Sequence, residues 1–419
     1  MPNIIITPTP SIGESLALMR EDAAFDICDN DPGAYGLDSD ILNTAMGIKA
    51  RKNPPKVPKM YVANKCVFDC RYCCHRCANE EKRGYLHEPD EMAKLAVEEA
   101  KRSGYGIFIS SAIHQSPDYT EELIVETLRK IRFEHKYKGY VHAKIMPGAD
   151  PLLIEQAGWL ADRLSINIEL PKCEGYLTIA PQKNRDNILG PMGNIAENIR
   201  ANDNRIDKNG RRYAKSGQTT QMMVGTMHEN DKTIMVLSQA LYKKYNMRRV
   251  YYGSFGVPLI PTDALPEKNT PGWRSRRLYQ ADRLIQLYNF TSEELLPDDN
   301  LDLEIDIDPK AVWAMRHLEM FPVEVNKASY DDLIRIPGIG VTWAKRIIEA
   351  RKHCTVTHDI LRQMKISLKR ANFFITCDGK YNGLNILEKT TDLRQQLCDT
   401  TDQLLFDDCS EIYEQDCSL

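Results

Sequence analysis

The sequence predicts an α/β fold: a curved, open sheet of six parallel strands, each followed by a helix, as a partial (βα)6 barrel, with an all-α module after it. Two patterns predict this. From residue 59 onward short β-rich runs alternate with helical stretches, which implies parallel strands joined by right-handed crossovers. Towards the C-terminus a Pro-Gly-Ile-Gly turn stands between two runs with apolar residues at helical spacing. A third observation places the chemistry. The stretch 66–77, CVFDCRYCCHRC, holds five cysteines and directly follows the first strand. Ligands of parallel α/β sheets bind at the carboxyl ends of the strands, so this loop stands where a cofactor is expected.

The strand candidates are 59–64 (KMYVAN), 105–111 (YGIFISS), 140–146 (YVHAKIM), 163–170 (RLSINIEL), 219–225 (TTQMMVG) and 248–255 (RRVYYGSF). Each is rich in β-branched and aromatic residues. Between them, 89–104 puts Met92, Leu95 and Ala96 on one helical face, and 120–131 repeats apolar residues at the same spacing. Asp118 and Glu121 have capping-box spacing before the second of these. A doubly wound sheet would show the same alternation, and periodicity does not separate the two.

The expected organisation is an N-terminal extension (1–56), the barrel (57–290), a linker (291–322), a compact helical module (323–380) and an acidic tail (381–419). The module carries eleven Lys and Arg against six Asp and Glu, and the tail two against nine. A formal charge of −4 over the whole chain argues against a surface basic all over, but not against a local basic patch. RIDKNGRRYAK (205–215) and RSRR (274–277) are two further basic runs, read as solvated faces or phosphate contacts. No apolar run approaches the roughly 18 residues that span a membrane, and the start, MPNIIITPTPS, lacks a basic leader region, so a cytoplasmic protein with no membrane partner is expected. A large chain of this kind is not a disulfide scaffold despite twelve cysteines.

The cysteine loop can be read in two frames. Cys66, Cys70 and Cys73 make C-x3-C-x2-C, and so do Cys70, Cys74 and Cys77. Three thiolates supply three corners of a 4Fe–4S cube and leave one iron open to a chelating ligand, since the usual count is four. Zinc held by the pairs 70/73 and 74/77 is the rival reading, made sterically awkward by their adjacency. A ferredoxin-like cluster with Cys74 or Cys77 as the fourth ligand is another.

The run Cys66-Val-Phe-Asp-Cys70-Arg-Tyr72-Cys73, after the first strand of six βα units, resembles the radical S-adenosylmethionine (SAM) signature. That family typically carries an aromatic residue just before the last cysteine, which Tyr72 supplies and which the second frame, with Arg76, does not. The resemblance implies that Cys66, Cys70 and Cys73 ligate a 4Fe–4S cluster and that the open iron binds SAM. Reductive cleavage of SAM then gives a 5′-deoxyadenosyl radical that abstracts hydrogen, with an electron donor such as flavodoxin or ferredoxin. It also points to SAM-binding positions at strand ends. Ser110 and Ser111 stand where the family often has a Gly-Gly-Glu-like turn, Glu169 where a polar residue meets the ribose, and Gly225 and Tyr252 near adenine. For each there is a plain structural reading: a strand end of small residues, an internal salt bridge, a turn glycine, a core aromatic. His114 and Cys173 lie near the same rim, and neither is required by the chemistry.

The second motif is VEVNKASYDDLIRIPGIGVTWAKRIIEARK (323–352). Leu333 and Ile336 lead into Pro337-Gly338-Ile339-Gly340, and Ala344, Ile347 and Ile348 follow. This resembles the helix-hairpin-helix motif. Its glycines allow a tight turn whose N–H groups face outward at a helix N-terminus, a nest for a phosphate oxygen flanked by Lys345 and Arg346. Together with 276–290, 308–326 and 368–381, the chain resembles a group of radical SAM proteins described as DNA modification or repair enzymes. That group implies nucleic acid as substrate, DNA ahead of RNA, and a partner of the uracil-DNA glycosylase superfamily. The alternatives are an RNA-modifying enzyme of the same chemistry and a non-catalytic redox-sensing DNA-binding protein with a fully ligated cluster.

Overall fold

The computed structural model describes residues 19, 57–79, 84–258, 260–366, 368–383 and 390–398. The N-terminal extension, Met19 apart, and the end of the acidic tail lie outside the described residues. The chain divides into two compact units, 1–229 with 240–270, and 230–239 with 271–419.

The first unit is built on β1 (Lys59–Tyr61), α1 (Pro89–Ser103), β2 (Ile107–Ser110), α2 (Pro117–Phe133), β3 (Val141–Lys144), α3 (Pro151–Leu160), β4 (Arg163–Ser165), α4 (Glu174–Ile179), α5 (Arg185–Ala201), β5 (Gln218–Val224), the part of α6 (Asp231–Tyr245) from residue 240 on, and β6 (Met247–Ser254). The six strands pair in chain order, β1-β2-β3-β4-β5-β6, all parallel. Strict chain order has no switch point, so the sheet is singly wound and the doubly wound alternative is set aside. Right-handed crossovers then put the helices on one face, the arrangement of a (βα)6 partial barrel.

The elements form where the apolar pattern puts them. On α1, Met92, Leu95 and Ala96 are buried as their spacing requires, and Gly104, at φ 74°, closes the helix by donating to Ala100 O at 3.0 Å. The cap of α2 differs from the expected one. Ser116 is the N-cap and accepts from Tyr119 N at 3.1 Å, while Asp118 accepts from Asp150 N at 2.8 Å. Glu121 is wholly buried and turns to the N–H of Met146 at 2.8 Å, away from the helix start. The first four predicted strands are shorter than their β-rich runs. Past Ser165 the chain leaves β4 and returns only at Glu169, whose φ is 61° and which bridges Met222.

The second unit holds α7 (Gly272–Leu287), α8 (Ser292–Leu295), α9 (Pro309–Arg316), β7 (Val323–Glu324), α10 (Tyr330–Arg335), α11 (Val341–Ala350), α12 (His358–Gln363), α13 (Leu368–Ala371), β8 (Ile375–Cys377), β9 (Lys380–Tyr381) and α14 (Thr390–Leu397). To the expected helices it adds a small sheet, β7-β8-β9, parallel then antiparallel. The basic run 274–277 is not a solvated face. Arg277 is fully buried and donates to Gln280 Oε1 and Ile305 O, each at 2.8 Å, and Arg274 pairs with buried Asp231 at 2.7 Å. Part of the acidic tail is ordered helix: Leu393 and Leu397 of α14 are buried, and Arg394 is paired with Glu304 and Asp306. Among the described residues no helix is long and apolar enough to cross a membrane.

Glu324 is the pin of the small sheet. It accepts from Asn326 N (3.0 Å), Asn326 Nδ2 (2.9 Å), Asp378 N (3.1 Å) and Gly379 N (2.9 Å). Burial alone would raise its pKa; these donors outweigh burial and hold it at about 2. A carboxylate depressed in the folded state adds stability above its unfolded pKa and loses it as pH falls towards 2. Glu324→Gln is expected to cost roughly 1 kcal/mol at pH 7, given partial screening by solvent. Urea unfolding of the two proteins should then converge as pH drops from about 4.5 to 2, and a pH-independent difference would contradict this role.

Candidate functional site

The cysteine loop leaves β1 at its carboxyl end and is held by its own backbone. Cys66 N donates to His75 O (3.0 Å), Val67 N to Ile113 O (2.8 Å), Cys73 N to Cys70 O (2.9 Å) and Cys77 N to Phe68 O (3.0 Å). A second set of bonds ties the loop to the segment after β4: Arg71 N to Ile179 O (2.7 Å) and Asp69 N to Gln182 Oε1 (3.0 Å). Arg76, where the second frame would need an aromatic residue, is buried and grips Asp69 through two bonds of 2.6 and 3.0 Å. Loop bonds of this density are what a buried irregular backbone requires.

The two frames are not equivalent. Cys70 is buried, Cys66 and Cys73 are half-buried, and Cys77 is exposed. The thiols of the first frame sense one another, Cys66 through Cys70 and Cys70 in turn affecting Cys73. Backbone N–H groups point at two of these sulfurs, Phe68 at Cys66 and His75 at Cys73, each at 3.4 Å. Burial pushes the Cys66 and Cys70 thiols up, and Cys73 is pushed up first by its hydrogen bond with Cys74 and then by burial. Among the described residues no three His, Cys, Asp or Glu side chains converge on a point that one metal ion could occupy. Three thiols, two of them receiving backbone N–H donors, beside a lysine ammonium form a donor set that fits a 4Fe–4S cluster.

That lysine is Lys183, which the sequence did not single out. Its ammonium is nearly buried and reaches Glu169 Oε1 at 3.0 Å and Tyr72 Oη at 3.1 Å. Burial works against its charge, but Glu169 and Cys70 outweigh burial and hold its pKa above the ordinary lysine value. Tyr72 in turn hydrogen-bonds Cys70, and burial raises its own pKa. Tyr72, Glu169 and Lys183 thus form one buried chain that ends at the cysteine sulfurs. Nothing local marks Lys183 in PQKNRDN. Its neighbour Asn184 caps α5, and burial of the lysine depends on the distant loop it meets.

The other expected positions divide. Ser111 Oγ accepts from Ala63 N (3.1 Å) and donates to Ala112 O (2.7 Å), so it joins the ends of β1 and β2. Ser110 is fully buried, with its carbonyl taking Val62 N–H at 3.0 Å. Glu169 is in the internal salt bridge just described. Gly225 has φ 91°, and a Cβ there would lie 1.9 Å from Thr270 Oγ1, so both conformation and contact demand glycine. Tyr252 and Phe255 are buried at 1 and 2% exposure and read as core. His114 is bound through its backbone to Thr120 (2.8 Å and 2.9 Å), and Cys173 is exposed just before α4. The run 205–215 precedes β5 and so lies at the amino end of the strands, away from the cysteine loop. There Lys215 pairs with Asp162 at 2.9 Å and Arg211 stands 4.6 Å from the Phe133 ring.

In the second unit the hairpin has its expected form. Gly338 has φ 87°, Ile339 is buried, and Gly340 is the N-cap of α11. Lys345 and Arg346 are exposed on α11, and the Arg346 guanidinium lies 4.7 Å from the Trp343 ring. Arg351 is not available to a ligand, since it donates to Val325 O (3.2 Å) and Ala328 O (2.6 Å). No local pattern in the sequence marks Lys310. This buried ammonium donates to the Ile339 carbonyl at 2.6 Å and lies 4.8 Å from the Tyr288 ring, fixing the turn from beneath.

A helix-hairpin-helix motif family matches residues 321–358. No curated protein matches the chain. Among solved structures it is similar to the X-ray structure of the FeFe-hydrogenase maturase HydG from Carboxydothermus hydrogenoformans, at 13% identity over 66% of this chain and 69% of that one, with a TM-score of 0.38. It is also similar to a crystal structure of HydG, a maturase of the [FeFe]-hydrogenase, at 14% identity over 92% of each chain, with a TM-score of 0.44. Scores this low carry no argument about activity.

Two outcomes follow from the buried cations. Lys183→Met strands the Glu169 carboxylate and should cost roughly 3 kcal/mol in urea unfolding, with Lys183→Met/Glu169→Gln recovering most of it. Equal loss in single and double variants would contradict the pairing. Burial lowers Lys310 to about 7, against the opposing pull of Asp308. A lysine depressed in the folded state binds fewer protons than the unfolded chain between about pH 7 and 10.5, so stability rises with pH across that window. Lys310→Met should remove this rise, and an unchanged pH slope would show that Lys310 is not its source.

Proposed function

We propose that the chain is a radical SAM enzyme that acts on nucleic acid, with DNA modification or repair as its role. The observation that carries this reading is the grouping of Cys66, Cys70 and Cys73 at the carboxyl edge of a six-stranded parallel sheet in chain order. Cys66, Cys70 and Cys73 would hold a 4Fe–4S cluster, and the adjoining rim would bind SAM. The bound pair would supply a carbon-centred radical that takes a hydrogen atom from the substrate. The chain's own residues orient and shield. Tyr72 and Lys183 back the sulfurs with a hydrogen bond and a positive charge, and Gly225 lets the loop after β5 approach closely.

The helix-hairpin-helix supports the nucleic-acid part. Its turn presents backbone N–H groups at the start of α11, and Lys345 and Arg346 add charge, a combination that holds phosphates without reading bases. A target inside a duplex would have to be flipped out or already unpaired. A partner of the uracil-DNA glycosylase superfamily belongs to the same reading.

The hydrogen bond between Cys73 and Cys74 favours a second reading, in which Cys74 closes the cluster and the protein senses redox state. Anaerobic reconstitution separates the two. The first reading expects 5′-deoxyadenosine from SAM and reductant, lost in the Ala variants of Cys66, Cys70 and Cys73 and kept in those of Cys74 and Cys77. A cluster that fails to cleave SAM and loses iron in Cys74→Ala favours the second. Duplex DNA binding should weaken with salt at a log–log slope near −0.9 per neutralised phosphate. Lys345→Gln/Arg346→Gln should flatten that slope by about two such units. Tighter binding to tRNA than to single- or double-stranded DNA would move the substrate to RNA.

A further inference from the structure

Each sulfur of the first frame has a hydrogen-bond donor, but the donors differ in kind. Cys66 and Cys73 take backbone N–H groups, from Phe68 and His75, each at 3.4 Å. Cys70, the most buried of the three, takes a side-chain donor, the Tyr72 phenol. A backbone donor is fixed by the loop, whereas a phenol can be strengthened from behind. Here the Lys183 ammonium donates to Tyr72 Oη at 3.1 Å. Donation into a hydroxyl oxygen polarises its O–H, so the onward bond to sulfur is stronger than an isolated phenol would make.

The lysine is held by its chain neighbours. Lys183 N donates to Ala180 O at 2.8 Å, Gln182 Oε1 accepts from Asp69 N at 3.0 Å, and Asn184 closes a capping box with Asn187 at the start of α5. Glu169, its ionic partner, is fixed through its backbone, donating to Gln221 O at 3.0 Å and accepting from Met223 N at 2.8 Å. The Lys183 and Glu169 side chains are only 10 and 9% exposed, so salt screens their charges little. The pair is neutral as a whole but not balanced at the cysteines. Burial dominates the Cys70 thiol and raises it; of the two charges, Lys183 pulls it down by more than Glu169 pushes it up. The Lys183 charge also reaches Cys66 and Cys73. The positive end of the pair therefore prevails at the thiols.

We propose that Lys183 and Tyr72 form a polarised relay that raises the reduction potential of a cluster held by Cys66, Cys70 and Cys73, with Lys183 a positioning residue that acts through the Tyr72 hydroxyl. An added electron makes such a site more negative, and hydrogen bonds to sulfur and nearby positive charge favour that state. The inference rests on the cluster assignment under the proposed function and adds to it how the chain eases electron entry. It needs a cluster on these thiols, but neither SAM cleavage nor nucleic acid.

The test is a redox titration of the full, anaerobically reconstituted chain without SAM, followed by electron paramagnetic resonance of the reduced cluster. Tyr72→Phe is expected to lower the equilibrium constant for reduction roughly tenfold, the usual contribution of a charge-assisted hydrogen bond. That is a negative shift of about 59 mV for one electron. Lys183→Met/Glu169→Gln removes the charge without stranding the carboxylate and should shift the potential the same way. Tyr72→Phe/Lys183→Met/Glu169→Gln should shift it by less than the sum, because the lysine works through the phenol. Lys183→Arg should keep most of the original potential. If Tyr72→Phe holds no cluster, the lysine variants decide alone. Unchanged potentials in iron-loaded variants, or strictly additive shifts, overturn the relay. A parent chain that holds no cluster overturns it together with the cluster assignment. SAM cleavage measured on the same samples keeps the claims apart. Shifted potentials without 5′-deoxyadenosine count for the relay and against the radical reading; unchanged potentials with 5′-deoxyadenosine formed count against the relay alone.

Discussion

Six parallel strands in strict chain order constrain everything else in the first unit. Each crossover must be right-handed, so the helices accumulate on one face and the other is left to side chains of the strands themselves. The same order brings every strand's carboxyl end to one edge. A loop inserted after β1 then stands beside the segment that follows β4. That is why Cys66, Cys70 and Cys73 can share surroundings with Lys183, which lies more than a hundred residues further on.

The loop itself is irregular, and its backbone groups must be paired without the help of a helix or a strand. It achieves this by bonding to itself, to Ile113 and to the segment 179–182. The Arg76–Asp69 pair adds a rigid internal brace. The outcome is selective. Cys70 is buried and Cys66 and Cys73 receive N–H donors, while Cys77 is exposed. Buried positive charge then accompanies the sulfurs through Lys183, as the desolvation of thiolates requires.

Much of this architecture was legible from pattern. The six strands, their helices and the hairpin follow from hydrophobic period and turn glycines, because those signals are local. What was not legible depends on distant partners. β4 stops at Ser165 because Glu169 takes a left-handed backbone to bridge Met222, and no period in RLSINIEL announces that. Glu169 itself admitted two readings, and the lysine that pairs with it lies 14 residues on, in a loop. The run 274–277 looked solvated by composition, yet Arg277 is buried because a backbone carbonyl and a glutamine satisfy it. Lys310 and Lys183 are buried cations whose roles exist only once the chain has folded.

The central claim is that three thiolates hold a cluster with one open iron. Electron paramagnetic resonance of the anaerobically reconstituted and reduced protein, with and without SAM, tests it most directly. The account predicts the signal of a reduced 4Fe–4S cluster whose line shape changes when SAM is added. A signal indifferent to SAM, or a protein that takes up zinc and no iron, would contradict it.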